Sequence, residues 1–405
     1  MHYNLNALTE KYLQELCVNI GPRVVGSDGN QKATFLLEEV FTSCNLELEK
    51  HHLSVIDWVS KEATLSIDEE SFKVLASPYS LGCSIEAPLR IIQKIEELES
   101  ENLNESIVLL CGDIAQEQIM PKNFLFYNPE EHQKIISLLE SKNIKALITA
   151  TGRNSALAGG MYPFPMFEDG DFNIPSVFTA EEEGERLRAH ENKIVSFYSD
   201  AQRIAAESYN IIVKKEGSSN KKIVITAHID TKQNTPGAID NATGVVVLLL
   251  LAHLLKNYRG KYIIELVAFN GEDYYSVPGQ MDYIQKQQDS FGDIVLNINI
   301  DGLGFKEGNS AISYYNIEKN FEKAIRKIMK NHEGIEESIQ WPQGDHSIFI
   351  YFNRPAIAFT SHWFVKNMET QTITHTPKDS IDIVNVSKIE EVALVIFDIL
   401  CGISK

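Results

Sequence analysis

The sequence has few cysteines, and their spacing excludes the usual cysteine-based scaffolds. They form no C-x-x-C pair, are odd in number and are widely scattered among 405 residues. This pattern favours reduced structural thiols over a disulfide framework or a zinc knuckle. The five positions are Cys17, Cys44, Cys83, Cys111 and Cys401.

Basic residues are also in deficit. The chain has 37 Lys and Arg against 56 Asp and Glu, a net charge of −19. Such a chain repels phosphates, so we expect no nucleic-acid partner. The acidity mainly indicates a soluble protein, as does a hydrophobic content of 43%.

Long apolar runs are absent as well. The most apolar stretch, residues 245–255 (VVVLLLLAHLL), has 11 residues, whereas a membrane-spanning helix needs about 20. It predicts a buried helix, and no membrane association. The start, MHYNLNALTEKYLQEL, lacks the basic and apolar regions of a signal peptide and predicts an amphipathic helix instead. We therefore expect a cytoplasmic protein.

The second half of the chain alternates strands and helices. Because the predicted strands are continuously apolar, they indicate a mixed, mostly parallel sheet sandwiched by helices, an α/β fold. Strands are predicted at 222–227, 262–269, 294–300 and 355–360. Helices are predicted at 244–256, 278–288, 316–331 and 388–400.

The length predicts two domains. Residues 1–60, with two helices and an extended segment, would join 205–405, and 61–204 would form a smaller inserted α/β or β-rich domain. In the insert we predict strands at 107–111, 146–150 and 174–179 and a helix at 130–141. Thr179 and Glu182 resemble a capping box that begins another helix. The loop at 159–171, GGMYPFPMFEDGD, is either a lid or an ordinary surface loop.

Metal-binding residue types follow the apolar strands of the second half. His228 and Asp230 (H-x-D) follow the first, the pair Glu272-Asp273 the second and Asp301 the third. Since the carboxyl ends of parallel strands meet at one edge, these groups should gather there. Singly, each has a simpler explanation as a solvated loop, surface charge or a turn former.

Two further residues complete the set. Asp240, in GAIDNATG before the buried helix, could bridge two cations with its two oxygens or could cap the helix, roles that are compatible. His375 lies in THTPKDS, where Pro377 and Asp379 would fix the loop. Two His, three Asp and one Glu would suffice for a two-metal hydrolytic site.

Roles can be assigned from the chemistry. We assign His228 as a metal ligand and Asp230 as the carboxylate that orients its ring. Adjacent side chains diverge, so Asp273 takes the metal and Glu272 acts as general base toward water. The pocket residues Asp345, His346 and His362 are weaker candidates, since each histidine is as readily a hydrogen-bonded structural residue. His253, within the apolar helix, is predicted to be structural.

Taken in order, these motifs resemble the co-catalytic zinc aminopeptidase family that includes aminopeptidase Y, secreted bacterial leucine aminopeptidases and glutamate carboxypeptidase. The order is H-x-D, D-N-x-T-G, an acidic pair, Asp, D-H-x-x-F and H-T-P-x-D, preceded by GPRVVGSDGNQKATFLLEEVF. The match covers nearly the whole chain. It implies a zinc-peptidase, phosphorylase/hydrolase-like fold and a protease-associated domain as the insert.

The resemblance also implies how the metals are held. One zinc ion would bind His228, Asp240 and Asp301, and a second would bind Asp240, Asp273 and His375. Glu272 would be the base, and the peptide between Asp240 and Asn241 would be strained and cis. Cobalt or manganese could replace zinc at such nitrogen and oxygen ligands.

The sequence departs from this family at two positions. Asp273 stands where many members have Glu, so its shorter arm could change the metal spacing. Thr374 stands where some members have Tyr before the last His, which leaves the oxyanion-stabilising group unassigned. A zinc ion can supply part of that stabilisation itself.

The leading expectation is therefore an aminopeptidase acting on peptides with a free N-terminus, because carboxylates attract an α-ammonium. A carboxypeptidase should need an arginine cluster, and only scattered arginines such as Arg354 occur near the motifs. One alternative is a glutaminyl cyclase or another amide hydrolase, against which the insert argues mildly. Another is a non-catalytic binding protein, although here every expected ligand is present.

Overall fold

The computed structural model describes residues 4–155 and 157–403. The chain divides into two compact units. The main unit contains residues 1–55 and 207–405, and the inserted unit contains residues 56–206. The divisions fall a few residues away from the boundaries expected from the sequence, and the protease-associated identity of the insert stays a prediction.

The strands alternate with helices along most of the chain. They are β1 (Glu47–Ile67), β2 (Glu70–Phe72), β3 (Leu75–Ala76), β4 (Cys83–Ile92), β5 (Ile107–Leu110), β6 (Ala146–Thr151), β7 (Ser176–Ala180), β8 (Ile194–Lys215), β9 (Lys222–His228), β10 (Ile263–Phe269), β11 (Ile294–Ile300), β12 (Ser310–Tyr315), β13 (Ile335–Glu337) and β14 (Ala356–Ser361).

The helices in the same order are α1 (Leu5–Gln14), α2 (Asp28–Ser43), α3 (Ile95–Ser100), α4 (Glu130–Ser141), α5 (Glu181–Arg188), α6 (Thr243–Leu254), α7 (Pro278–Gln287), α8 (Lys319–Met329), α9 (His346–Tyr351), α10 (His362–Asn367) and α11 (Val386–Ile403). Helix α8 begins later than expected, because Asn316 has a left-handed φ of 50° and cannot continue into a helix.

The main unit is built on a mixed sheet whose central strands are parallel. The strand order is β13-β12-β14-β11-β9-β10-β8. Strands β14, β11, β9 and β10 run parallel, while β12 is antiparallel to β14 and residues 211–215 of β8 are antiparallel to β10. At the edge, β13 runs parallel to β12. This confirms the mostly parallel α/β sheet predicted from the sequence.

Both faces of this sheet are covered. Ile223, Ile225 and Ala227 of β9 face a core that includes α6 and α11, whereas Val224 faces a second core with Tyr283 of α7 and Phe349 of α9. This alternation explains why the strands read as continuous apolar runs in the sequence.

Helix α6 occupies the centre of the larger core. Every side chain from Thr243 to His253 is buried. By length and composition the helical stretch Ala238–Asn257 could cross a membrane, but 89% of its most apolar window is buried within the fold. His253 is structural, as predicted: its Nε2 lies 2.9 Å from the Tyr12 hydroxyl and its Nδ1 lies 3.5 Å from Cys44 Sγ. All five cysteines are free.

The inserted unit has its own mostly parallel sheet. Strands β4, β5, β6 and β7 are parallel, and β3 and residues 194–199 of β8 flank them antiparallel.

The capping box predicted at the start of α5 is wrong, because the Thr179 hydroxyl donates to the Lys73 carbonyl at 2.5 Å and α5 has no side-chain cap. Phe164, Met166 and Phe167 of the 159–171 loop are buried in this unit's core, so its lid role stays a prediction.

Candidate metal centre

The predicted ligands converge at one edge of the main sheet. His228 is the last residue of β9, and Asp301 directly follows β11. Asp273 lies in the loop after β10, and Asp240 lies just before α6. Because β9, β10 and β11 are parallel, their carboxyl ends meet at this edge. His375, between α10 and α11, completes the set from the far end of the chain.

These residues form two groups that share one carboxylate. The ligand atoms of His228, Asp240 and Asp301 lie within 4.8 Å of one another, as do those of Asp240, Asp273 and His375. Asp240 Oδ1 lies 3.2 Å from His228 Nε2, and its Oδ2 lies 3.2 Å from His375 Nε2. Each oxygen of one carboxylate therefore faces a different histidine.

The donor set fits two divalent cations. His228 Nε2 and Asp273 Oδ2 face the cluster, are buried and make no hydrogen bond within the described part of the chain. Unpaired buried polar atoms are costly, and they are expected where an ion supplies the partner. Two imidazoles and three carboxylates are the ligands that zinc accepts.

The electrostatics of the cluster also favour the binding of cations. Burial alone would lower the pKa of both histidines, but close contact with the negatively charged aspartates around them outweighs it and raises each pKa well above the usual range. Burial also raises the pKa of Asp301, and nearby carboxylates add to that rise. Bound cations would relieve this repulsion and displace the histidine protons.

Asp230 acts differently from the prediction. His228 Nδ1 lies 3.1 Å from the main-chain oxygen of Asp230, whereas the nearest carboxylate oxygen is 3.7 Å away. The carboxylate instead accepts the backbone N–H groups of Gly271, Glu272 and Asp273 at 2.7, 3.2 and 3.0 Å. Three backbone donors in a row leave it little freedom to turn toward the ring. It thus holds the acidic loop, and its main chain orients the histidine.

The main chain of Asp240 is fixed by Asp379 of the H-T-P-x-D motif. The Asp379 carboxylate accepts the N–H of Ile239 at 2.7 Å and that of Asp240 at 3.1 Å. The Asp240–Asn241 peptide is cis, as the resemblance implied. The cap that begins α6 comes from Asn241, whose Oδ1 accepts the Gly244 N–H at 3.1 Å, so Asp240 is free to bridge.

Arg23 is a supporting residue that the sequence analysis missed. Its side chain is fully buried. It donates to five main-chain carbonyl oxygens at 2.7 to 3.2 Å, those of Leu16, Gly21, Ile229, Pro236 and Gly237. It therefore joins the N-terminal segment to the loop between His228 and Asp240. The only sequence signal was a lone arginine in the apolar segment NIGPRVV.

Glu272 lies among the acidic groups and is not part of either ligand group. Burial raises its pKa well above the usual range, and the charges of Asp273, Asp301 and Asp345 add to that rise. Asp345 is itself buried and accepts a hydrogen bond from Gln280 Nε2 at 2.6 Å, and burial raises its pKa to about 7. Both carboxyls thus border the cluster.

The two remaining histidine candidates have other partners. His346 Nε2 lies 3.0 Å from the Trp341 carbonyl oxygen and its Nδ1 lies 3.4 Å from Asn299 Nδ2, so both ring nitrogens are engaged. His362 pairs with Glu336 of the edge strand β13 at 2.8 Å. These contacts favour the structural interpretation of both residues.

Known proteins resemble the chain over most of its length. Aminopeptidase YwaD of Bacillus subtilis is 22% identical over 395 residues, covering 94% of this chain and 80% of that protein. The structure of BSAP, a zinc aminopeptidase from Bacillus subtilis, superposes with a TM-score of 0.76 at 20% identity over 99% of this chain and 95% of the other. Fimbriiglobus ruber glutaminyl cyclase gives 0.54 at 12% identity over 99% and 96%.

The fold matches that of a zinc aminopeptidase, and the shared-carboxylate cluster lies within it. Residues 210–400, which contain both ligand groups, match the model of Peptidase family M28. This match covers 191 of the 405 residues, a little under half of the chain.

Proposed function

We propose that the protein is an aminopeptidase that uses two zinc ions to remove N-terminal residues from peptides. The main observation in its support is the geometry of Asp240, whose two carboxylate oxygens each lie 3.2 Å from a different histidine. A carboxylate in this position can bridge two cations that are about 3.5–4 Å apart.

The ligand sets follow from the two groups. His228, Asp240 and Asp301 would hold one ion, and Asp240, Asp273 and His375 the other. When bound, such ions polarise the scissile carbonyl and make a water molecule a better nucleophile at neutral pH. Cobalt or manganese would substitute for zinc.

Glu272 supplies the proton transfer in this proposal. Its pKa is raised in the metal-free site by burial and by neighbouring carboxylates, and bound cations would lower it again. It would accept a proton from the attacking water and return it to the leaving amine. Asp230 keeps Glu272 in place by accepting its backbone N–H at 3.2 Å.

The charge of the site favours a free amino terminus over a free carboxylate. Glu272 and Asp345 border the cluster with carboxyl groups outside both ligand sets, which suits an α-ammonium group. Arg23 is fully buried and donates to main-chain carbonyl oxygens, so it is not available to clamp a substrate carboxylate. Arg354 donates to the nearby Phe352 carbonyl at 3.2 Å.

Cyclisation of N-terminal glutamine remains the second candidate. The insert does not argue against it, contrary to our expectation from the sequence, because the glutaminyl cyclase named above aligns with 99% of this chain. Hydrolysis is favoured because both complete ligand groups are present. The same completeness disfavours a purely binding role.

The test is release of free amino acids from matched unblocked and N-acetylated peptides by metal-stripped enzyme titrated with zinc. We expect activity on unblocked peptides only, reaching its maximum near two zinc ions per chain. Equal rates on acetylated peptides would refute the aminopeptidase. Saturation near one ion would remove the second ligand group from the mechanism, and pyroglutamate formation without hydrolysis would identify a cyclase.

A further inference from the structure

The main chain of Asp273 is held on both sides by the loop that follows β9. Its N–H donates to Asp230 Oδ2 at 3.0 Å, and its carbonyl oxygen accepts from Lys232 Nζ at 2.7 Å. The Asp273 side chain is 6% exposed, with Oδ1 3.3 Å from His375 Nε2. Asp230 and Lys232 thus fix both peptide groups that flank one proposed zinc ligand.

This anchoring matters because an aspartate has a short arm. Its carboxylate reaches one methylene less than that of a glutamate, about 1.5 Å. The position of its oxygens is therefore set largely by where the main chain is held. Once the two peptide groups are fixed, only two side-chain torsions remain to aim the carboxylate at an ion.

We propose that Lys232 is a positioning residue. It places the Asp273 carboxylate so that it can bind the same ion as His375 and Asp240. The inference rests on the proposed two-zinc function and adds a residue that lies outside both ligand groups. Lys232 acts through the Asp273 carbonyl rather than on substrate.

The positive charge of Lys232 makes it possible to distinguish positioning of Asp273 from a direct electrostatic effect on the ions. An ammonium close to divalent cations repels them, so loss of the charge alone would tighten zinc binding. Loss of positioning would weaken it. The two explanations predict opposite changes for one substitution.

The experiment measures zinc binding to metal-stripped protein by calorimetry with a competing chelator. We expect Lys232→Met to raise the dissociation constant of one ion about tenfold or more, the usual effect of losing a residue that orients a ligand, and to leave the other ion unchanged. Lys232→Arg, which keeps a charged donor, should remain within about threefold of wild type.

A matched control is available in the same unit. Lys215 Nζ also donates to a main-chain carbonyl, that of Lys256, at 3.0 Å. It pairs with Ile264 at the amino end of β10, opposite the end that leads to Asp273. Lys215→Met should leave both zinc affinities unchanged. Equal or tighter zinc binding by Lys232→Met would overturn the proposal.

A double-mutant cycle guards against a general folding defect. In an Asp273→Glu background the longer arm depends less on the main chain, so Lys232→Met should cost clearly less zinc affinity than in wild type. An equal loss in both backgrounds, or equal weakening of both ions, would refute positioning. Wild-type protein that binds fewer than two ions would instead refute the two-zinc function itself, and the inference with it.

Discussion

Replacing Arg23 with methionine should destabilise the main unit strongly without touching a proposed ligand. The substitution keeps much of the side-chain bulk but leaves five buried carbonyl oxygens without their donor. Hydrogen bonds to a charged group are worth about 1.5–3 kcal/mol each, and burying the guanidinium offsets several kcal/mol of that sum. We expect a net loss of about 4 kcal/mol, in the range found when one partner of a buried charged network is removed.

Two further variants provide a comparison for the stability loss expected of Arg23→Met. Arg23→Lys keeps the charge but has three donors, so at least two carbonyls lose their partner and the cost should be about 2 kcal/mol. Arg326→Met removes a partly exposed arginine of the same unit, paired with Glu322 at 2.7 Å, and should cost less than about 1 kcal/mol.

The assay is urea-dependent amide exchange of α6, since its buried amides report unfolding of the main unit rather than of the insert. The reasoning would be refuted if Arg23→Met lost no more stability than Arg326→Met. Zinc affinity measured alongside should fall as well, because Arg23 holds the loop that leads to Asp240.

Three further predictions concern the metal centre. Glu272→Gln should keep both zinc ions but lower kcat by about 10²-fold or more, and an unchanged kcat would remove Glu272 from catalysis. In metal-free protein the raised pKa values of the site histidines stabilise the fold below about pH 6.5, and this contribution is lost as the pH rises through them, so Tm should fall as the pH is raised above about 6.5. With zinc the trend should reverse, because the metal binds only deprotonated ligands; parallel curves with and without zinc would contradict this. Gly344→Ala would place a Cβ 3.2 Å from Asp301 Oδ2 at a φ of +100° and should weaken zinc binding, whereas Gly308→Ala, at +65° with nothing within 4 Å, should cost only about 1–2 kcal/mol of stability. Equal zinc affinity in both glycine variants would show that the crowding is harmless.

Much of the fold could be predicted because strand and helix signals are local. The apolar run ending at His228 and the run ending at Ile300 have the bounds expected, or nearly so. Carboxyl ends of parallel strands converge by geometry, so residues far apart in sequence could be placed together before any coordinates were known. The order of histidines and acidic residues along the chain therefore predicted most of the proposed ligand set.

The supporting contacts could not be predicted in the same way. Arg23 and Lys232 donate to main-chain carbonyls, which every residue has and which no residue type marks. The Asp230 carboxylate likewise bonds to backbone N–H groups rather than to the histidine expected from H-x-D. Asp379 was expected only to fix its own loop, yet it also holds the Asp240 main chain. Such partners are decided by tertiary packing.

The cytoplasmic location, and the absence of membrane and nucleic-acid partners, stay predictions. They were drawn from the sequence alone, and no contact within the described residues bears on them.

The contacts of Arg23 and Asp379 also carry a consequence for timing during synthesis. Arg23 and Asp379 both converge on the short segment around Asp240, one from each side of the sequence. A growing chain that has not passed residue 379 lacks His375 and the carboxylate that holds Asp240. The hydrolytic activity proposed above must therefore appear late, so unfinished chains on the ribosome would be harmless to the peptides around them.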